Sequence, residues 1–113
     1  MKTILVIDDE PVIRSLVQLS LENRDWHVAM AADAGSALAE IARRKPDLIL
    51  LDLGLPGTSG EDLARRLRTD EATAAIPIVF LTGLRPADAA NADAVIQKPF
   101  TPDMLRAYAS NWL

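Results

Sequence analysis

Three carboxylates and one lysine stand just past the ends of apolar runs. Asp8 and Asp9 follow Ile4-Leu5-Val6-Ile7, and Asp52 follows Leu48-Ile49-Leu50-Leu51. Lys98 follows Val95-Ile96-Gln97 and precedes Pro99-Phe100. If these runs are neighbouring parallel strands, all four charges meet at one edge of a sheet. Crowded acids repel one another unless something cationic joins them. A divalent cation fits that need, with Lys98 as a fixed positive charge beside it. Each residue has a plainer reading when taken alone. Adjacent acids after a strand often cap a helix, and a single lysine is usually a solvated surface group. Their joint placement at strand ends is what points to a site.

Positioning these side chains requires a regular frame, and the rest of the chain supplies one. Short apolar runs occur at Ile4 to Ile7, Val28 to Ala31, Leu48 to Leu51, Ile78 to Leu81 and Ala94 to Ile96. Their continuous apolar character, without strict alternation, marks strands buried on both faces, as in a parallel sheet. The intervening segments read as helices. Pro11 suits a first helical position, and Ile13, Val17 and Leu21 repeat at helical spacing beside Leu16. Asp33 can cap a second helix with Leu38, Ile41 and Ala42 turned inward. Arg43, Arg44 and Lys45 suit its last turn, and Pro46 stops it. Ser59 and Asp62 start a third helix with Leu63 and Leu67 facing the core. Thr101-Pro102 opens the last helix, whose apolar stripe is Met104, Leu105, Tyr108 and Trp112. Strand and helix alternate, so the class is α/β, and right-handed crossovers put helices on both faces of the sheet. Sites in such folds lie beyond the carboxyl ends of the strands, where the acids fall.

One stretch breaks the pattern. Only residues 83–93 separate Thr82 from Ala94, and Gly83 and Pro86 take up part of that length as turn. A parallel crossover ordinarily needs roughly a dozen residues or more. The remaining Ala87-Asp88-Ala89-Ala90-Asn91 is enough for about one helical turn, which is poorly stable without packing. The expectation is a loop or single turn, and so a shortened or missing fourth helix.

The chain has 113 residues, half of them hydrophobic, and a net charge of −4. That suits one domain with a full core, spanning residues 1–113. The negative balance argues against direct binding to a nucleic-acid backbone. There is no cysteine, hence no disulfide or thiolate metal site. No apolar stretch is long enough for membrane insertion, and the N-terminus lacks the layout of a signal peptide. A cytoplasmic protein is the simplest expectation. His27, the only histidine, sits at the start of a strand, away from the acids, and reads as structural. Trp26, Tyr108 and Trp112 read as packing residues, although part of the last helix's stripe could serve as an interface.

Taken together, these residues resemble the receiver domain of two-component response regulators, in particular the single-domain chemotaxis type. The resemblance covers essentially the whole chain. Asp8 and Asp9 match the acidic pair after the first strand, and Asp52 matches the phosphoacceptor. Leu55-Pro56 through Gly60 matches the following loop, and Thr82 the hydroxyl position after the fourth strand. Lys98-Pro99-Phe100 matches the family's lysine and the proline that follows a cis bond. The resemblance implies a doubly wound, five-stranded parallel sheet of flavodoxin-like order 2-1-3-4-5. It also implies a Mg2+-dependent acceptor that takes a phosphoryl group on Asp52 from a histidine kinase or histidine phosphotransfer protein and signals to a downstream protein target. Such a protein is a switch or phosphorelay intermediate and not an enzyme. By analogy, Asp8, Asp9, Asp52 and the Gly54 carbonyl serve the metal, while Thr82, Gly83 and Lys98 hold the phosphoryl oxygens.

Two departures stand out. Val95 occupies the place where receivers usually carry an aromatic switch residue, and the fourth helix is curtailed. The segment Pro77 to Gly83 is similar to that of a minority of receivers with a Thr-Gly pair and a reduced fourth helix. Val95 cannot report activation by ring rotation, so ordering of residues 83–93 is the expected signal. Gly54 and Leu84, two residues beyond Asp52 and Thr82, offer no polar group to orient a hydrolytic water, which implies unexceptional to slow dephosphorylation. Two other readings compete. One is a phosphorylation-independent, receiver-like binding module. The other is an aspartate-nucleophile phosphohydrolase, disfavoured because Gly54 stands where that chemistry needs a second acid.

Overall fold

This computed structural model describes residues 1–83 and 89–113. The elements in order are β1 (Lys2–Ile7), α1 (Pro11–Leu21), β2 (Trp26–Ala31), α2 (Ala34–Arg43), β3 (Leu48–Asp52), α3 (Gly60–Thr69), β4 (Ile78–Thr82), β5 (Ala94–Gln97) and α4 (Pro102–Ser110). All strand pairings are parallel, and the sheet order is β2-β1-β3-β4-β5. This is the doubly wound fold expected from the alternating pattern.

The continuous apolar runs follow from two cores, one on each sheet face. Alternate strand residues point to opposite faces. Leu5, Ile7, Ile49, Leu51, Ile78 and Phe80 therefore join Ala37 and Ile41 of α2 and Leu63, Ala64 and Leu67 of α3. Ile4, Val6, Leu48, Leu50, Val79 and Leu81 join Val17 and Leu21 of α1 and Leu105 and Ala109 of α4. Every residue of β3 and β4 is buried. A strand covered on both sides has no solvent face on which to place polar residues.

The helix starts obey local chemistry. The Asp33 side chain accepts from the Ser36 N–H at 2.8 Å, which holds its carboxyl below the ordinary aspartate value. Ser59 accepts from the Asp62 N–H and Thr101 from the Met104 N–H, each satisfying one donor left over at a helix start. Two inward assignments need correction. Ala42 is exposed, and Ala37 is the fully buried alanine of α2. Met104 is 38% exposed, and the buried seam of α4 is Leu105 with Ala109. In both helices a small residue packs tightly where the helix approaches the sheet, which apolar spacing alone does not reveal. Trp26 lies inside β2, half-buried beside the α1–α4 core; Tyr108 of α4 packs there too, and so does Trp112, which stands in the turn beyond α4 and not in its stripe.

Among the described residues no helix joins β4 to β5. Residues Leu84 to Asp88, including part of the stretch expected to form a turn, lie outside the described residues. The remainder forms a turn closed by the Ala92 N–H on the Ala89 carbonyl. Arg68 of α3 holds this end of the connection. Its guanidinium donates to the carbonyls of Asn91, Ala74 and Ile76 and to Asp93 Oδ2, the last at 2.7 Å. Asp93 Oδ2 also accepts from the Ile78 N–H at 2.8 Å. One arginine thus ties α3, the turn after it, and the entries to β4 and β5 at the edge of the sheet opposite Asp52.

Gly60 sets the close approach of α3 to the end of β3. A Cβ there would lie 2.5 Å from the Asp52 carbonyl oxygen and 2.8 Å from Leu53 Cα. Both are backbone atoms, so the loop itself must move to admit a side chain. Gly60→Ala should lower stability by about 2 kcal/mol, the usual cost of overpacking. Urea unfolding checks this, and a midpoint equal to that of the wild type would show that the loop yields freely.

Candidate acidic site at the carboxyl edge of the sheet

Strand register brings the charges together. Ile7 is aligned with Leu51, so the next residue in each strand is an aspartate, Asp8 in one and Asp52 in the other. Asp52 is aligned with Leu81, and Thr82 with Gln97, so Lys98 follows directly at the same edge. The Asp8 N–H donates to the Ala31 carbonyl, and the Lys98 N–H to the Thr82 carbonyl at 2.7 Å. These bonds extend the ladders one residue past the strands and fix both side chains at their bases. The Lys98–Pro99 peptide bond is cis, as the resemblance implied.

Asp8 is completely buried and Asp52 nearly so. Lys98 Nζ donates to Asp8 Oδ2 at 3.0 Å and to Asp52 Oδ1 at 3.3 Å, and stands 3.7 Å from Glu10 Oε1. The other Asp8 oxygen accepts from the Glu10 N–H at 2.9 Å. Arg14 of α1 reaches back to donate to the Asp8 carbonyl at 2.7 Å, bracing the loop that carries the acids.

Burial raises the Asp8 pKa, and the negative charge of Asp52 adds to the rise. The Glu10 N–H and Lys98 oppose this without overcoming it, because the loss of hydration is the largest of these effects. Burial alone would lower Lys98, but its hydrogen bond and charge interaction with Asp8, followed by those with Asp52, raise it. The lysine stays protonated while the acids remain short of positive charge.

Of the residues singled out in the sequence, the structure places Asp8, Asp52 and Lys98 in direct contact. Asp9 is exposed, with a carboxylate oxygen within 4.8 Å of oxygens from Asp8 and Glu10. Gly54 is close by, since a Cβ there would sit 3.7 Å from Asp52 Oδ2. Thr82 is buried at the end of β4, and exposed Gly83 comes next. A Cβ at Gly83 would touch nothing among the described residues. Sequence reasoning missed Glu10. The available signal was a third acid directly after the pair, at the residue preceding a helix that begins with proline. His27 lies at the other end of β1–β2, paired with Glu22 and away from the acids. Val95 is half-buried against the α2–α3 core.

The donor set fits a hard divalent cation. Among the described residues it offers carboxylates with no imidazole or thiolate, which suits magnesium's demand for oxygen ligands.

Comparison with known proteins agrees with this geometry. Residues 4–110 match the family described as the response regulator receiver domain. The phosphate regulon transcriptional regulatory protein PhoB of Pseudomonas aeruginosa is 47% identical over 112 residues, which are 94% of this chain and 49% of that protein. RpaA of Synechocystis, a DNA-binding dual master transcriptional regulator, is 39% identical over 95% of this chain and 47% of its own length. The chain thus spans about half the length of these curated relatives. The chemotaxis response regulator CheY4 of Vibrio cholerae superposes with a TM-score of 0.89 at 27% identity, covering 100% of this chain and 99% of its own. The receiver domain of sensor histidine kinase PA1611 from Pseudomonas aeruginosa, solved with magnesium coordinated in its active-site cleft, gives 0.88 at 26% identity, covering 98% and 96%. By fold, by the register that assembles its acidic edge and by sequence, the chain belongs to the receiver-domain family of two-component response regulators.

Proposed function

We propose that this receiver accepts a phosphoryl group on Asp52 from a phosphohistidine on a histidine kinase or phosphotransfer protein, in a magnesium-dependent reaction, and works as a signalling switch or relay. The observation that carries this reading is the contact of Lys98 with both Asp8 and Asp52 beside two further acids. An Asp52 oxygen attacks phosphorus, the bond from phosphorus to imidazole nitrogen breaks, and its electron pair stays on the imidazole, which takes up a proton. Bound magnesium supplies charge neutralisation at the phosphoryl oxygens. Asp8, Asp9, Asp52 and the Gly54 carbonyl would hold it, Asp8 through a water. Lys98 moves from its resting carboxylates toward the new phosphoryl oxygens, and the Thr82 hydroxyl and the backbone at Gly83 hold the others. Catalysis here is mainly positioning and electrostatics.

Output passes to a downstream protein through a two-state rearrangement of the β4–β5 connection. Val95, already packed against the α2–α3 core, supplies no ring to swing. The same two features favour a second reading, a binding module that signals without phosphate.

Intact mass spectrometry separates the two. The protein is incubated with acetyl phosphate with and without magnesium, beside Asp52→Ala. One added phosphoryl group that needs both magnesium and Asp52 is the expected result. No adduct, with no magnesium binding, would leave the phosphate-independent module.

A further inference from the structure

We infer that Glu10 is an additional carboxylate of the cation site, acting on the ion through its water shell, and that it sets the affinity for divalent cations. This rests on the magnesium-dependent reading above and gives a role to a residue that reading counts among the acids but leaves without one.

Glu10 occupies the residue before α1, yet its side chain makes no capping hydrogen bond to that helix. Side chains at this position usually turn toward the free N–H groups of the first turn. Pro11 removes one of those donors. The Glu10 carboxylate turns toward the acids instead, 3.7 Å from Lys98 Nζ and within 4.8 Å of oxygens from Asp8 and Asp9. Its own N–H fixes the buried Asp8 carboxylate, so backbone and side chain of one residue serve the same cluster. At 62% exposure the carboxylate borders solvent, where an ion that keeps several waters would present them. A negative charge so close to the ligand oxygens favours the bound cation, and the effect is screened by salt because the group is exposed.

The arrangement has two opposite consequences. Without metal, Glu10 adds repulsion to acids that share one lysine. With metal, the same charge becomes favourable. A merely structural Glu10 would support the fold in both conditions.

The test is isothermal titration of magnesium into the full chain, with thermal melting in chelator. Glu10→Gln is compared with Glu71→Gln, which removes an equal charge from the exposed turn after α3. Glu10→Gln should weaken magnesium binding about three- to tenfold at low salt while leaving the metal-free melting temperature equal or higher. Glu71→Gln should match the wild type. Unchanged magnesium affinity in Glu10→Gln, with the wild type still binding, would overturn the role of Glu10 alone. So would a metal-free melting temperature that falls together with the affinity. No binding by the wild type would sink the magnesium reading and this inference with it.

Discussion

Replacing Lys98 with alanine should destabilise the metal-free protein by about 3 kcal/mol, the low end of the usual cost of removing one partner from a buried ion pair. Among the described residues, the lysine is the only cation paired with the Asp8 and Asp52 carboxylates, and Asp8 has no solvent to fall back on. The deficit has a pH signature. Asp8 holds its proton more tightly in the fold than a free aspartate does. Its charged form therefore costs stability at neutral pH, and that cost is relieved as pH falls through the raised value. Loss of Lys98 sharpens this, so the difference between variant and wild type should be largest near neutrality and shrink on acidification. In the wild type the Lys98 contribution has the opposite sense. It is fully present below the ordinary lysine value and lost as pH rises through the elevated one. Magnesium well above its dissociation constant should restore part of the loss, because the ion replaces the missing charge and stabilises by mass action. If Lys98 donates to the phosphoryl oxygens as proposed, phosphoryl uptake should still slow about a hundredfold. Urea unfolding across pH, with and without magnesium, measures the stability effects, and the rate of mass gain with acetyl phosphate measures the uptake. A Lys98→Ala protein as stable as the wild type in chelator would contradict the electrostatic account of the site.

The second large effect is expected at the opposite edge of the sheet. Arg68→Ala removes four hydrogen bonds at once and leaves the carbonyls of Ala74, Ile76 and Asn91 and the Asp93 carboxylate without this donor. Hydrogen bonds from charged donors are worth more than neutral ones, and uncompensated acceptors are costly. We expect a loss of about 3 kcal/mol. Amide exchange should accelerate at residues 74–78 and 89–93 before it does so in β1 and β3. Arg68→Lys should recover little, because an ammonium cannot match the spread of a guanidinium. Uniform acceleration across all strands would show that Arg68 supports the whole fold and not this connection. The clamp holds the Asn91 and Asp93 end of the β4–β5 connection against α3.

Much of this was legible in the residues. The five runs became the five strands, with bounds shifted by a residue or two, and the turn and cap residues started the helices where their chemistry requires. The shortness of the β4–β5 connection was a matter of length alone. Asp8, Asp52 and Lys98 could be grouped because each stands at the carboxyl end of an apolar run, Lys98 with only Gln97 between it and Ile96, and parallel strands share one carboxyl edge. Ala37 and Ala109 were not legible, because a small residue becomes important only where two elements come close. Arg68 was also hidden, since its partners lie 6 to 25 residues away and three of its four acceptors are backbone carbonyls, which carry no side-chain signature.

The sequence by itself determined the kind of fold, the ends of its elements and the composition of its acidic edge, because those depend on local periodicity and on what stands next to each strand. Only the tertiary structure decided which carboxylates share Lys98, which way Glu10 turns and what anchors the shortened connection. Those outcomes depend on strand register and on side-chain reach across elements, and a linear spacing specifies neither.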